Sequence, residues 1–546
     1  MLDPCRNEFC KPSWLMEAPK LMLPQGPGDG PLELRETHIS WVFLTATEAY
    51  KIKKPLALGF LDYRTPELRK QACLAEVRLN RRLEPEVYIG VEPLTQPKDG
   101  STGGPIELAG PGCIVDWAVH MRRIPDCFRG DVRLEKGQLG GAQVDALASR
   151  LVRFHAGCRE DAETRSFGTV EKIGFNVREN FEPLRGDLED HLTLAPAREL
   201  EHRQLAFLEK HAGLFETRIA AGRVRDGHGD LRLEQLYIDD ADRITILDCV
   251  EFNDRFRFAD VCADLAFLSM DLCFHGRGDL AERLLASYAR ESGDYDLYRL
   301  VDFYASYRAT VRAKVALFRG RPPDLISARQ YLLLALSATF PRRELPLLVA
   351  TCGLPASGKS TLAEGLSAQL GAPVLGSDWT RKWLAGVPPT QSLATAPWTA
   401  AYHPDATARV YAELFRRARI LLESGRSVIL DATFPTQAMR RAARSLAQSV
   451  GVPFRLLECQ VPLEVCRERL RMRESEPSVS DARSGILDEF RSSFEPLSFT
   501  SMLPSSESLV IKARRCWAGT VVSSLMKKRT SPPWRSFGWR SRTGRR

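Results

Sequence analysis

The first stretch with a definite period is "ISWVFLTATEAYKIKK", from Ile39 to Lys54, where apolar and polar positions alternate on either side of "TATE". Alternation rich in β-branched and aromatic residues predicts two strands, and the small polar cluster predicts the turn between them. Next, "PELRKQACLAEVRLNRRL" carries its apolar residues at helical spacing, and "YIGVEPLTQ" and "GCIVDWAVHMRRI" predict strands flanking a Gly-rich loop. Residues 143–340 are mostly helical in pattern, interrupted at "HGDLRLEQLYIDDADRITILDCVEF", where two short apolar runs enclose a "DDAD" turn. Beyond Pro341 and Pro346 the pattern changes again. Strand "LPLLVATCG", a Gly-rich loop, helix "STLAEGLSAQLG", strand "APVLGSD", helix "ATARVYAELFRRARILLESG", strand "SVILDATF", a further helix and strand "PFRLLECQVP" follow in turn. Strands alternating with helices predict a parallel sheet covered on both faces.

At 546 residues, with 44% apolar and 27% charged, the chain is too long for one hydrophobic core. The patterns divide it into a Pro- and Gly-rich flexible extension (1–32), a first domain (33–340), a linker (341–346), an α/β domain (347–510) and a tail (511–546). No apolar run approaches the roughly 20 residues of a membrane span, and the N-terminal residues lack the basic and apolar regions of a signal peptide. Thirteen cysteines, an odd number without a CxxC pair, predict reduced thiols and a cytoplasmic setting rather than a disulfide framework. The formal charge is +8, but residues 511–546 hold eleven Lys and Arg and no acid. Without that tail the chain is net −3, so the charge predicts a disordered basic end rather than a nucleic-acid-binding body.

The sharpest chemical signal is "GLPASGKST", in which Gly353, Leu354, Pro355, Ala356, Ser357, Gly358, Lys359, Ser360 and Thr361 form a GxxxxGK[ST] loop between a strand and a helix. Such a loop turns successive N–H groups inward onto phosphate oxygens at a helix N-terminus. Lys359 is expected on the β/γ-phosphates of ATP and Ser360 on Mg²⁺. "GSDWTRK" sets Asp378 at the carboxyl end of the next strand, where it could take the proton of a substrate hydroxyl, with Arg381 one helical turn on for an anionic group. The plainer alternative makes Asp378 a helix N-cap. Asp431, closing "SVILD", is expected in the Mg²⁺ shell or, more plainly, as a strand end. In "EVCRERLRMRESEP", Arg469 and Arg473 share one helical face and Arg467 and Arg471 another, as a lid over ATP or a salt-bridged surface helix. Through "GLPASGKST", "SDWTRK" and "VILDATF", residues 346–500 resemble the small P-loop kinases grouped with the AAA domain of polynucleotide kinases, zeta toxins and gluconate kinases. That resemblance implies transfer of the ATP γ-phosphoryl group to a hydroxyl.

The interrupting stretch carries a second set. Asp230 in "HGDLRLEQ" has the place of a base that accepts a hydroxyl proton, Asp248 and Gln235 the places of Mg²⁺ ligands, and Lys53 that of a phosphate-binding strand lysine, with Lys51 on the same strand face and Glu76 on the next helix able to pair with it. Gln235 is one methylene longer than the Asn such a loop normally holds, and no GxGxxG precedes Lys53. More plainly read, Lys53 is a solvated lysine, Glu76 a surface acid and His228 a brace for the turn. Residues 33–340 resemble the aminoglycoside phosphotransferase-like branch of the kinase fold. From Leu34 to Leu497 the chain is similar to bacterial two-domain proteins that fuse such a domain to a P-loop domain, through "ETHISWVFL", "YKIKKP", "GFLDYRT", "HGDLRLE" and "DCVEFNDRFRFADVCADLAFL". The expectation is thus a multidomain chain, an α+β protein-kinase-like domain followed by an α/β P-loop NTPase domain with a parallel sheet. Its expected activity is ATP- and Mg²⁺-dependent phosphorylation of a small-molecule hydroxyl, with the kinase-like domain weakened or regulatory. The alternatives are an ATP-sensing module without catalysis and, with Trp534 and Trp539 of the tail for stacking, a nucleic-acid 5′-hydroxyl kinase.

Overall fold

The structure is a computed structural model that describes residues 32–59, 61–96, 106–182, 194–319, 321–340, 345–388, 402–473, 479–482 and 487–496, together with Gln391, Leu393 and the backbone of Leu21–Met22 and Ile511–Ala513. The remaining parts of the expected extension, linker and tail, including Trp534 and Trp539, lie outside the described residues. Contacts divide the chain into two compact units, Met1–Ala281 with Phe303–Thr339, and Glu282–Asp302 with Phe340–Arg546. No helix among the described residues is long and apolar enough to cross a membrane.

In the first unit the chain forms, in order, β1 (Leu21–Met22), β2 (Glu33–Glu36), β3 (Ser40–Leu44), β4 (Glu48–Lys53), the short pair β5 (Ala57–Leu58) and β6 (Leu61–Asp62), then β7 (Tyr88–Gln96), β8 (Ile106–Leu108) and β9 (Cys113–Arg122). All but β5 and β6 join one sheet in the order β1-β8-β7-β9-β4-β3-β2. The alternation of Ile39–Lys54 gives the expected hairpin, with Trp41 opposite Ile52 and Phe43 opposite Tyr50. One face buries Trp41, Phe43, Ile52, Leu94 and Ala118 together. Each large apolar side chain so removed from water contributes about 1.5–3 kcal/mol before ordering costs. The opposite face receives the helix Pro66–Asn80, which starts with proline in its first turn and Thr65 accepting from the Leu68 N–H. Its Cys73 and Val77 pack on Val87, Tyr88 and Val119. Glu76 lies between them on the same buried face.

Beyond the sheet the unit is mainly helical, as the pattern predicts. Inside it, β10 (Val224–Asp226) pairs antiparallel with β13 (Phe258–Asp260), and β11 (Leu236–Ile238) with β12 (Ile244–Ile246). The "DDAD" turn joins β11 to β12, with Asp239 Oδ1 accepting from the N–H groups of Ala241 and Arg243. The two pairs hold the segments 227–235 and 247–257 at their ends. Packed beneath is the helix Val261–Phe274, buried on nearly every side.

The second unit has a parallel sheet in the order β15-β16-β14-β17-β18, made of β14 (Leu348–Cys352), β15 (Val374–Gly376), β16 (Val428–Asp431), β17 (Phe454–Cys459) and β18 (Ile511–Ala513). Leu347, Val349, Ile429 and Leu457 meet Leu362, Ala363 and Leu366 of the helix Lys359–Leu370 in a dry core. Near-continuous apolar runs are what a doubly covered parallel strand requires. Two short strands correct the expected ends of the fold. Leu21–Met22 runs parallel to β8, and Ile511–Ala513, assigned from the sequence to the disordered tail, runs parallel to β17. Strands of two or three residues are too short for period 2 to announce them.

Candidate functional site

The phosphate loop of the second unit leaves β14 and enters the helix Lys359–Leu370. Three of its residues take positive φ: Gly353 at 133°, Ala356 at 60° and Gly358 at 96°. A side chain at Gly353 would meet the Cys459 carbonyl at 2.6 Å, so the loop can pass there only as glycine. Ser357 is buried, and among the described residues its hydroxyl oxygen has no hydrogen-bond partner. The Lys359 ammonium donates to the Leu354 carbonyl at 2.8 Å. Burial pushes Lys359 below the usual lysine range, opposed by the Asp431 and Asp378 carboxylates. Ser360 and Thr361 are exposed on the first helical turn.

The carboxylates arrive from neighbouring strands. Asp431 ends β16 with Thr351 and Gly376 as its register partners, and it accepts from the Thr351 hydroxyl at 3.2 Å. Asp378 lies two residues beyond Gly376, inside the helix Ser377–Leu384 whose N-cap is Gly376, so the N-cap alternative for Asp378 does not hold. Burial raises Asp378 above the usual carboxylate range, against the Ser480 hydroxyl hydrogen bond and the Arg381 charge, while Asp431 raises it further. Arg381 sits over the Tyr402 ring at 4.5 Å, and its Nη1 donates to the Thr407 hydroxyl at 3.5 Å.

On the helix Leu463–Arg473, Arg469 donates to the Ala356 carbonyl at 3.1 Å, which brings one expected lid arginine onto the phosphate loop. Arg467 instead pairs with Asp488 at 2.8 Å and Arg471 with Glu468 at 3.8 Å, as surface ion pairs. The side chain of Arg473 lies outside the described residues. Thus Gly353–Thr361, Asp378, Arg381, Asp431 and Arg469 gather about one loop. Sequence reasoning missed Thr351, Tyr402 and Ser480; a threonine inside an apolar strand was the available signal for the first.

The first unit holds the second constellation. His228 is fully buried and ties the turn, its Nε2 to the Leu247 carbonyl at 2.9 Å and its Nδ1 accepting the Asp230 N–H at 3.3 Å. Asp264 accepts from the N–H groups of His228 and Gly229 at 2.7 and 2.9 Å, and Asp271 from that of Leu233 at 2.9 Å. These two carboxylates, seven residues apart on one helix face, set the loop. Arg232 grips the Asp230 carboxylate with two hydrogen bonds of 3.0 and 3.1 Å and also pairs with Glu234. The Gln235 side-chain amide points its nitrogen to Asp230 Oδ2 at 3.5 Å. Its extra length turns it toward the aspartate in this geometry.

Strand β4 brings two lysines to the same acid. Lys53 does pair with Glu76, both fully buried, which excludes the solvated-lysine and surface-acid alternatives, but Glu251 also binds Lys53. Tyr63 donates to the same Glu251 at 2.8 Å. It is Lys51, two residues earlier on the same strand face, that reaches both Glu76 at 2.9 Å and Asp248 at 2.6 Å. Lys53 is thus enclosed by two acids, whereas Lys51 bridges Glu76 to Asp248. Glu251 was missed because its role depends on how the chain folds back onto β4. Asp248 adopts φ 67°. Desolvation pushes its carboxyl up, and Lys51 outweighs this and holds it down at about 2.

A sequence profile described as "AAA domain" matches residues 348–497. Over 445 residues the chain is 35% identical to "Uncharacterized protein Rv2004c" of Mycobacterium tuberculosis, spanning 81% of this chain and 86% of that one. The counterpart "Uncharacterized protein Mb2027c" of Mycobacterium bovis matches with the same figures. Among solved structures, the M. tuberculosis APS kinase CysC with AMPPNP and APS is 24% identical, covers 34% of this chain and 99% of its own, and has a TM-score of 0.24. The GDP complex of wild-type aminoglycoside 2′-phosphotransferase-IIIa is 13% identical, covers 57% of this chain and 94% of its own, and has a TM-score of 0.35.

Proposed function

Since the chain belongs to the family of the mycobacterial proteins Rv2004c and Mb2027c, and carries in its AAA-domain segment a phosphate loop flanked by two carboxylates, we propose that it is a phosphotransferase whose P-loop unit moves the γ-phosphoryl group of ATP onto a hydroxyl of a small molecule. The observation that carries the reading is Asp378, half-buried, pushed up in pKa by desolvation, and within the influence of both Lys359 and Arg381. A base with a raised pKa accepts a hydroxyl proton more readily than an ordinary surface carboxylate. Arg381 would hold an anionic group of the acceptor or charge on the transferred phosphoryl group. Lys359 and the inward N–H groups of Gly353–Thr361 would orient the phosphates, and Arg469 would close over them from the lid helix.

The donors suit Mg²⁺. Ser360 and Asp431 offer hard oxygens and too few of them to cage a metal alone, the arrangement in which phosphates and water complete the shell. Among the described residues no group of three or more His, Cys, Asp or Glu forms a dedicated metal site. When bound, the ion would neutralise charge between the β- and γ-phosphates. The acceptor is taken to be a small molecule in the cytoplasm rather than a nucleic acid, because the chain without its tail is net acidic.

For the first unit, Lys51, Glu76 and Asp248 support nucleotide binding with weakened or regulatory activity. The supporting observation is that Asp230, the expected base, is gripped by Arg232. The test is ADP release from ATP and Mg²⁺ across a library of polyols, sugars and hydroxylated metabolites, for the wild type, Asp378→Asn and Asp230→Asn. The reading expects acceptor-stimulated release that needs Asp378 and not Asp230. Stimulated release that survives Asp378→Asn would overturn it.

A further inference from the structure

The helix Val301–Arg319 sets Arg308 and Arg312 one turn apart on one face, within the first unit. Arg308 is 4% exposed, and its guanidinium lies over the Phe267 ring at 4.8 Å and the Tyr307 ring at 5.6 Å. Arg312, half-buried, lies over the Tyr331 ring at 5.7 Å, and Tyr331 stacks on Phe274 at 4.0 Å. Phe267 and Phe274 belong to the helix Val261–Phe274, whose Asp264 and Asp271 hold the Asp230 loop by its N–H groups. Both arginines are thus ranged along the helix that carries that loop. The charge of Arg312 reaches the loop as well. Burial raises the Asp271 and Glu234 carboxyls, and Arg232 and then Arg312 pull against it.

Among the described residues neither arginine has an acid at ion-pairing distance, and neither Nε has an acceptor. The acids nearby are engaged elsewhere, Asp264 and Asp271 by the loop N–H groups and Glu234 by Arg232. A guanidinium flanked by rings loses water from its faces while the N–H groups on its edge remain donors for an oxyanion. A cation taken from water without a counter-charge is costly, and an anionic ligand supplies the missing charge. Two guanidinium groups a helical turn apart match the double charge and several oxygens of a phosphate better than a single carboxylate. We propose that Arg308 and Arg312 form a binding site for a hydroxylated phosphate ester, such as a sugar phosphate, beside the Asp230 loop. Arg312 forms its accessible side and Arg308 its inner one. The site is independent of the P-loop chemistry and holds its ligand whether or not the first unit transfers phosphate. A polycationic aminoglycoside would be repelled from the same place, so likeness of fold and choice of ligand part company here.

The test is calorimetric titration of inorganic phosphate and glucose 6-phosphate into the full-length protein, with a saturating non-hydrolysable ATP analogue and Mg²⁺ present to fill the P-loop. Glucose and gluconate serve as the uncharged and carboxylate counterparts. Both phosphates should bind, and glucose 6-phosphate should bind about tenfold or more tightly than glucose or gluconate. Arg312→Gln and Arg308→Gln should each weaken it about tenfold or more. Circular dichroism and urea unfolding check that each variant is folded, and the half-buried position of Arg312 makes its variant the safer of the two. The site is overturned if neither phosphate binds at millimolar concentration, if glucose binds as tightly as its phosphate, or if a folded Arg312→Gln protein keeps full affinity. Gluconate bound as tightly as glucose 6-phosphate would overturn the assignment of a phosphate ligand.

Discussion

Lys359 is buried and Lys51 partly so, each beside carboxylates, and their ionisation shifts in opposite directions. Burial lowers Lys359, whose nearest partner is the neutral Leu354 carbonyl. Lys51 is held well above the usual lysine range despite its own desolvation, because Asp248 and Glu76 both lie within hydrogen-bonding distance of its ammonium. The phosphate loop therefore presents a cation whose charge is incompletely matched, in a loop that also holds a Ser357 hydroxyl without a partner among the described residues. The kinase-like site neutralises its lysines internally, with Glu76 and Glu251 on Lys53, Asp248 and Glu76 on Lys51, and Arg232 on Asp230. Two sites with nearly the same inventory thus differ in how much of it is left for a ligand. An anionic substrate gains more from the first, since the second must give up an ion pair to receive it.

The contrast can be attacked in order of expected effect. Asp378→Asn should lower acceptor-stimulated kcat about 10²–10⁴-fold with little change in nucleotide affinity. In the wild type the activity should fall as pH drops through a pKa above the ordinary 3.8, and this acid limb should vanish from the residual rate of the variant. Lys359→Ala should cost about 10²–10³-fold in transfer and remove one site from a calorimetric titration with an ATP analogue. A second site that persists in that titration would sharpen the comparison, and Lys51→Ala should then weaken it.

Stability should separate the two strand lysines. Lys53→Met leaves Glu251 and one oxygen of Glu76 buried without a cation and should cost about 3–5 kcal/mol in urea unfolding. Lys51→Met should cost less, because Asp248 keeps about 40% of its side-chain surface exposed. If the two variants unfold alike, the reading of Lys53 as the structural cation of the pair fails. The smallest effect concerns acid. Asp248 is depressed from 3.8 to about 2, so its pairing stabilises the fold above about pH 4 and is lost as pH falls toward 2. Asp248→Asn should flatten the pH dependence of unfolding in that window.

Much of this could be read before folding. The P-loop, its strand and its helix are a local signal, and Asp431 at a strand end, with Asp378 and Arg381 on the helix that follows the next strand, sit where an alternating βα pattern already orders them. The kinase-like sheet was legible in the alternation around "TATE". What escaped was decided by distance in sequence. Glu251 reaches Lys53 across 198 positions, and Asp481 reaches Lys382 across 99. Choosing between Lys51 and Lys53 was beyond the pattern for a related reason. Period 2 puts both on one face, and only the acids folded against that face distinguish them.

The short strand β18 bears on how this protein should be produced. Residues 511–513 form the last strand of the parallel sheet and cover the edge of β17 with three paired positions. A truncation at residue 510, where the periodic pattern ends, would leave that edge with unpaired backbone groups. Bare edges recruit strands from other molecules, so the shortened chain should aggregate during expression where one ending after Ala513 stays dispersed.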